Sequence, residues 1–130
     1  MAGGKTLLSL LLMLSTTPAL AENWVKVSMS GSGTIYIDQE SAARDGNRIS
    51  FWDSLVFDTP RTLSSIAAPV KESRMYVTVD CVAHTGSGKS PRAFGADGKI
   101  VASSDGEGPT QSVEAGSSLY DEFQYACSHW

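Results

Sequence analysis

The sequence is short of cysteine, histidine and basic charge, and each shortage excludes a class of function. Two of its 130 residues are cysteines and two are histidines, His84 and His129, too few and too scattered to build a metal site on. There is no Gly-x-Ser-x-Gly elbow to present a nucleophilic serine, no internal repeat and no low-complexity tract. Ten basic residues face fourteen acidic ones, a net charge of −4 at pH 7. A chain of that sign without a basic cluster lacks the footprint of a nucleic-acid or anionic-lipid binder. Past the first twenty residues no hydrophobic run is long enough to span a bilayer.

What is present at the start is an export signal. Lys5 precedes the apolar run LLSLLLMLS; Pro18 breaks that run, and Ala19-Leu20-Ala21 offers small residues where a signal peptidase reads. The pattern predicts a secretory signal peptide over residues 1–21 and one domain of modest core over 22–130. Loss of Lys5 brings the net charge to −5. No cysteine flanks the cleavage point, so no lipid anchor is expected, and the protein should be periplasmic or secreted to the cell surface. In such a compartment the pair Cys81 and Cys127 points to a disulfide rather than two buried thiols. Closing so long a loop contributes roughly 4 kcal/mol in the chain-entropy model.

Most of the remaining sequence alternates with the period of a strand. Val25, Val27 and Met29 share a face of a first strand; after Gly31-Ser32-Gly33, Ile35 and Ile37 alternate with Thr34, Tyr36 and Asp38 in a second. Residues 38–44 have room for one helical turn, Asp45-Gly46-Asn47 is a tight-turn signal, and a third strand spans 48–57. An aspartate breaks its phase near Trp52-Asp53, where a bulge or a sheet edge is expected. Residues 58–73, with Pro60 and Pro69, read as a loop holding at most a short strand around 63–66. The clearest strand follows, with Met75, Val77, Val79, Cys81 and Ala83 on one face and Arg74, Tyr76, Thr78, Asp80 and Val82 on the other. Ala93-Phe94 and residues 99–103 form a hairpin about Ala96-Asp97-Gly98-Lys99. Then the period changes: Leu119, Tyr120, Phe123, Ala126 and Cys127 fall on one helical face, and Ser118 with Asp121 resembles a capping box. Both cysteines face inward, one from a strand and one from a helix, and the simplest arrangement staples the helix across the sheet.

The stretch AHTGSGKS, residues 83–90, looks like a phosphate-binding loop. Such a loop must open onto a helix and belongs to a parallel sheet with crossover helices. Gly95 and Gly98 sit badly in a helix and Ala93 onward reads as a hairpin, so residues 86–90 are expected to form a flexible polar loop, with no nucleotide or other cofactor. His84 adjoins it without a marked nucleophile, and Asp38 and Glu40 are explained by strand ends and turns. The aromatic residues Trp24, Tyr36 and Trp52 fall on the phase opposite the main apolar set. Either they form a surface for a ligand or a second copy, with Tyr36 and Trp52 as candidate ligand-binding residues, or that face is covered by the 58–73 loop or a neighbour.

In order, the segments Trp24-Val25-Lys26-Val27, Thr34-Ile35-Tyr36-Ile37-Asp38, Arg44-Asp45-Gly46-Asn47-Arg48-Ile49 with Phe51-Trp52, Val79-Asp80-Cys81, Phe94-Gly95-Ala96-Asp97-Gly98-Lys99-Ile100-Val101, Ala115-Gly116-Ser117-Ser118-Leu119 and finally Cys127 resemble the surface-adhesin protein E family of proteobacteria. The resemblance spans residues 24–127. It implies an α+β fold, a curved antiparallel sheet of about six strands with a C-terminal helix tethered on its concave face by the disulfide. It also implies homodimers through the sheet and a protein ligand, either a host matrix protein or plasminogen, or a protein of the cell's own envelope. The family's founding adhesin is a lipoprotein, whereas this sequence lacks the lipobox cysteine and has no basic binding segment that matches. The expected function is an exported, non-enzymatic binding module; the alternative is a small periplasmic enzyme or enzyme inhibitor using residues 58–73 and 86–90. Mass spectrometry of the unreduced mature protein should give a chain starting at Glu22 and two hydrogens lighter than its reduced form. Two alkylatable thiols in the native oxidised protein would remove the staple.

Overall fold

The computed structural model describes residues 22–130, so the expected signal peptide lies outside the described residues. Eight strands and one α-helix follow one another: β1 (Trp24–Ser30), β2 (Gly33–Asp38), β3 (Ala43–Asp45), β4 (Arg48–Arg61), β5 (Val70–Asp80), β6 (Thr85–Phe94), β7 (Ile100–Ser103), β8 (Gln111–Ser112) and α1 (Ser118–His129), with a 3₁₀ turn at Gln39–Ser41. They form one open antiparallel sheet in the order β1-β2-β4-β5-β6-β7, β3 pairing with β4 and β8 with β6. The α+β class and the six-strand path agree with the sequence; the two short strands extend it.

The period-two pattern decides which face is buried. Ile37 of β2, Ile49 and Phe51 of β4 and Val77 and Val79 of β5 point to one side, where Phe123 and Ala126 of α1 close over them. Farther along the same face, Phe57, Val70 and Ala93 are covered by Leu63 and Ile66 from the loop 62–69. The Cys81–Cys127 disulfide joins the end of β5 to the last turn of α1, with Cα atoms 5.8 Å apart. Polar contacts hold the other flank of the helix: Ser28 Oγ donates to Asp121 at 2.6 Å, and Gln39 Nε2 to Tyr125 Oη at 3.0 Å. Arg44 reaches the Trp130 carbonyl, and the Trp130 ring lies against Phe51.

Several local expectations are corrected. Asp53 marks neither bulge nor edge: β4 runs between β2 and β5 with unbroken register from Arg48 to Val56, and Asp53 stays on the helix-covered face. The irregularity lies later, between Val56 and Arg61, and β4 continues to Arg61, so the expected loop starts as strand. Leu63 and Ile66 belong to a turn closed by the Ile66 N–H and Leu63 carbonyl at 3.0 Å. Residues 86–90 are not a flexible loop but part of β6. Leu119 and Met75 fill the space that side chains would take there: a Cβ at Gly86 would lie 3.1 Å from Leu119, and one at Gly88 2.0 Å from Met75 Sδ. The chain turns earlier, at 81–84, where Asp80 Oδ1 accepts from the Val82 and Ala83 N–H groups. Cys81 and Ala83 therefore follow the strand instead of ending it. The first strand is bulged between Lys26 and Ser28, which leaves Met29 70% exposed and turns Ser28 toward Asp121. The helix N-cap is Ser117, whose hydroxyl accepts from the Tyr120 N–H at 3.1 Å, one residue earlier than the capping box placed it.

At the β2–β4 contact the backbones approach closely. A Cβ on Gly33 would sit 2.5 Å from the Val56 carbonyl oxygen, an atom fixed in the neighbouring strand, whereas one on Gly31 would meet nothing within 4 Å. Gly33→Ala should destabilise the fold by about 1–3 kcal/mol, and Gly31→Ala should stay within about 0.5 kcal/mol of the parent. Denaturant unfolding of both variants checks this; equal stabilities would show that the strands separate freely at Gly33.

Candidate protein-binding face

Helix and loop both lie on one side of the sheet, so among the described residues the other side is dressed by the strands' own side chains. Strand alternation sends Tyr36 of β2, Trp52, Ser54 and Val56 of β4, and Glu72, Arg74, Tyr76 and Thr78 of β5 to that side. Trp24 and Phe94 complete it from β1 and β6. Arg74 is the hub of one half. Its guanidinium stacks between the Trp24 ring at 5.0 Å and the Phe94 ring at 4.9 Å. Its Nε donates to Glu72 Oε2 at 2.6 Å, and its Nη1 lies 3.5 Å from Glu22. Beneath it Ser54 Oγ donates to the same Glu72 oxygen, and Ser54 is 2% exposed although no helix covers it. Trp24, Tyr36, Ser54, Val56, Glu72 and Arg74 enclose a hollow of about 260 Å³.

The second half is built on Trp52 and Tyr76, cross-strand partners whose rings meet edge to face with centroids 5.5 Å apart. Arg92 lies over Trp52 at 4.9 Å and Lys89 over Tyr76 at 5.5 Å. Of the two sequence candidates, Tyr36 lines the hollow and Trp52 the aromatic pair, on adjacent strands of the same face. The open question about this face is resolved in part: the 62–69 loop packs on the opposite side. Tyr76 and Arg74 were legible as the polar phase of β5. Lys89 and Arg92 were not, because residues three apart should point to opposite sides of a strand.

His84 sits in the 81–84 turn with its ring 5.1 Å from Phe123. A different acidic pair, missed in the sequence, lies under the helix: Asp53 of β4 and Glu122 of α1. Glu122 is 5% exposed, and its Oε1 has no hydrogen-bond partner among the described residues. Burial, then the hydrogen bond to Asp53 and the charges of Asp53 and Asp121, push the Glu122 carboxyl well above the usual carboxylate range. Burial also raises Asp53, against the bonds from Glu122 and the Met75 N–H, which donates at 3.1 Å. Two carboxyls that interact in this way titrate as a pair. The spacing could not announce this, because Glu122 reads as a polar residue in the first turn of a helix.

These features define an α+β open-sheet module with one face closed by a tethered helix and the other set with aromatic and cationic side chains. The chain belongs to the surface-adhesin protein E family, which matches residues 24–128. It is similar to crystal form II of Haemophilus influenzae protein E, with a TM-score of 0.63 and 16% identity over 82% of this chain and 88% of that one. A second structure of that protein gives a TM-score of 0.61 and 15% identity over 82% and 85%. At such identities the likeness is one of fold. No curated protein matches the sequence significantly.

The acid pair fixes the sign of a pH effect. A carboxyl whose folded-state pKa is raised stabilises fully below its unfolded value, and that contribution is lost as pH rises through the folded value. Stability of the native protein should therefore fall as pH rises above the ordinary carboxylate range, and Glu122→Gln should flatten the fall and overtake the parent at the high-pH end. Asp80, held low by the Ala83 N–H, acts only in the opposite direction and in strong acid. Thermal melts across pH check it; parallel curves for parent and variant would dissolve the pair.

Proposed function

We propose that this chain is an exported, non-enzymatic binding module of the adhesin type, whose helix-free sheet face takes a protein ligand from host matrix or cell envelope. The carrying observation is that face itself: Trp24, Tyr36, Trp52 and Tyr76 lie on it half-buried, while among the described residues α1 and the 62–69 loop occupy the other side. Aromatic and arginine side chains dominate the energetic centres of protein interfaces. Family membership supports a surface protein. The disulfide fits an oxidising compartment, and among the described residues no helix is long and apolar enough to cross a membrane. The enzyme reading has no comparable support, since residues 58–61 and 86–90 are strand and the Asp53–Glu122 pair is closed off by the helix.

Location is tested by protease treatment of intact cells against release by osmotic shock. Digestion on intact cells fits a host ligand; protection with release by shock directs the search to envelope proteins. Binding is tested with the purified chain against a panel of matrix and envelope proteins. Trp52→Ala or Tyr36→Ala should weaken a bound partner about 30-fold, the loss expected on truncating an interface anchor. Unchanged affinity in both variants would move the site off this face. Self-association abolished by Trp52→Ala would give the face to a second copy.

A further inference from the structure

One irregularity of β6 concerns the binding face directly. Tyr76 pairs with Lys89, yet Arg74, two residues back on β5, pairs with Arg92, three residues on along β6. The extra residue is a bulge at 90–91. Ser90 takes a left-handed conformation, φ 54°, uncommon for a residue other than glycine. The flanking segment holds it: the Ser90 N–H donates to the Gly106 carbonyl at 2.9 Å and the Ser104 N–H to the Pro91 carbonyl at 3.1 Å. Its effect is to bring Lys89 and Arg92 to the same face, Lys89 over the Tyr76 ring and Arg92 over the Trp52 ring. Bulges re-aim side chains in this way, often next to functional sites.

The charges on that face do not cancel. Arg74 is matched by Glu72 and Glu22, and Arg48 by Asp80 at 3.9 Å. Among the described residues no carboxylate lies within ion-pair distance of Lys89 or Arg92, including Glu107, which bridges Lys89 only through the backbone. Arg92 stands directly opposite Arg74, an arrangement that works against folding. Two exposed, unmatched cations thus sit on aromatic rings in a chain whose net charge is −4. A guanidinium lying over a ring keeps its in-plane donors free, and its planar fork is preorganised for a carboxylate.

We propose that Lys89 and Arg92, flanking Trp52 and Tyr76, form a subsite for a protein segment that presents carboxylate side chains beside an aromatic or aliphatic one. This rests on the reading that the helix-free face is the ligand-binding face. The patch is too short for a continuous polyanion. Glu72 and Asp80, four residues either way from Tyr76 on β5, bound it with like charge.

The test is a selection of displayed random peptides on the immobilised mature chain, repeated on Lys89→Gln/Arg92→Gln and on Trp52→Ala. The double variant loses two cation–ring contacts together with the Arg92–Arg74 repulsion, and its thermal melt is recorded beside the parent's so that a loss of fold is told apart from a loss of binding. Enrichment of Asp or Glu next to aromatic or aliphatic residues is expected. The corresponding synthetic peptides should bind the double variant about tenfold or more weakly than the parent, their Glu→Gln forms should bind the parent just as weakly, and Lys89→Arg should retain binding. Enriched peptides that lack carboxylates but fail on Trp52→Ala would overturn the acidic chemistry and keep the face. Peptides that bind all variants equally would overturn both. Heparin held by the parent and released by the double variant, with no acidic peptide enriched, would overturn the proposal in favour of a sulfated glycan.

Discussion

A single sheet has two faces, and the described residues supply one α-helix to cover them. Everything else in the molecule follows from how that shortage is met. A helix of the length of α1 is marginal alone in water; it persists because Phe123 and Ala126 are buried on the sheet and Cys127 is bonded to Cys81. The bridge selects the face that the helix covers. The 62–69 loop then completes the same face through Leu63 and Ile66. Among the described residues all covering material goes to one side, and the other has to shield its backbone with its own side chains.

It does so with long amphipathic groups laid flat. Arg74 between Trp24 and Phe94 closes over Ser54, and Trp52 leans on Tyr76. Such groups shield the sheet and still present polar edges to a partner. They also rise from the middle of the sheet, since β4 and β5 are paired on both sides. Sites on strands are held more precisely than sites on loops, and aromatic side chains with two torsions lose little freedom on contact. One shortage of covering structure therefore yields both the open face and its stiffness.

The sheet was legible because alternation reports the two faces of a strand directly: Ile35 and Ile37, Ile49 and Phe51, Val77 and Val79 all lie where their phase puts them. So was the tether, from two inward-facing cysteines. The failures share a cause, residues whose meaning depends on something distant in the chain. Asp53 breaks the apolar phase only until Glu122 arrives from the helix to pair with it. Gly86 and Gly88 look like loop until Leu119 and Met75 are seen to occupy the space of their missing side chains. For the candidate face, Tyr36 and Trp52 were readable from phase alone. Lys89 and Arg92 join them through a bulge at Ser90, and their spacing of three hides it.

The disulfide also divides the chain topologically. Its partners are 46 positions apart, so β6, β7, β8 and nearly all of α1 lie inside a closed covalent ring, with β1 to β5 outside it. The exposed, glycine-rich stretch 104–110 is the kind of segment proteases cut first, and it lies within the ring. A cut there opens the ring and frees no fragment: one side stays joined to β5 through Cys81, the other through Cys127. Trp52, Tyr76, Lys89 and Arg92 all remain on one covalent molecule. A single nick in its most vulnerable segment leaves this adhesin-family chain in one piece.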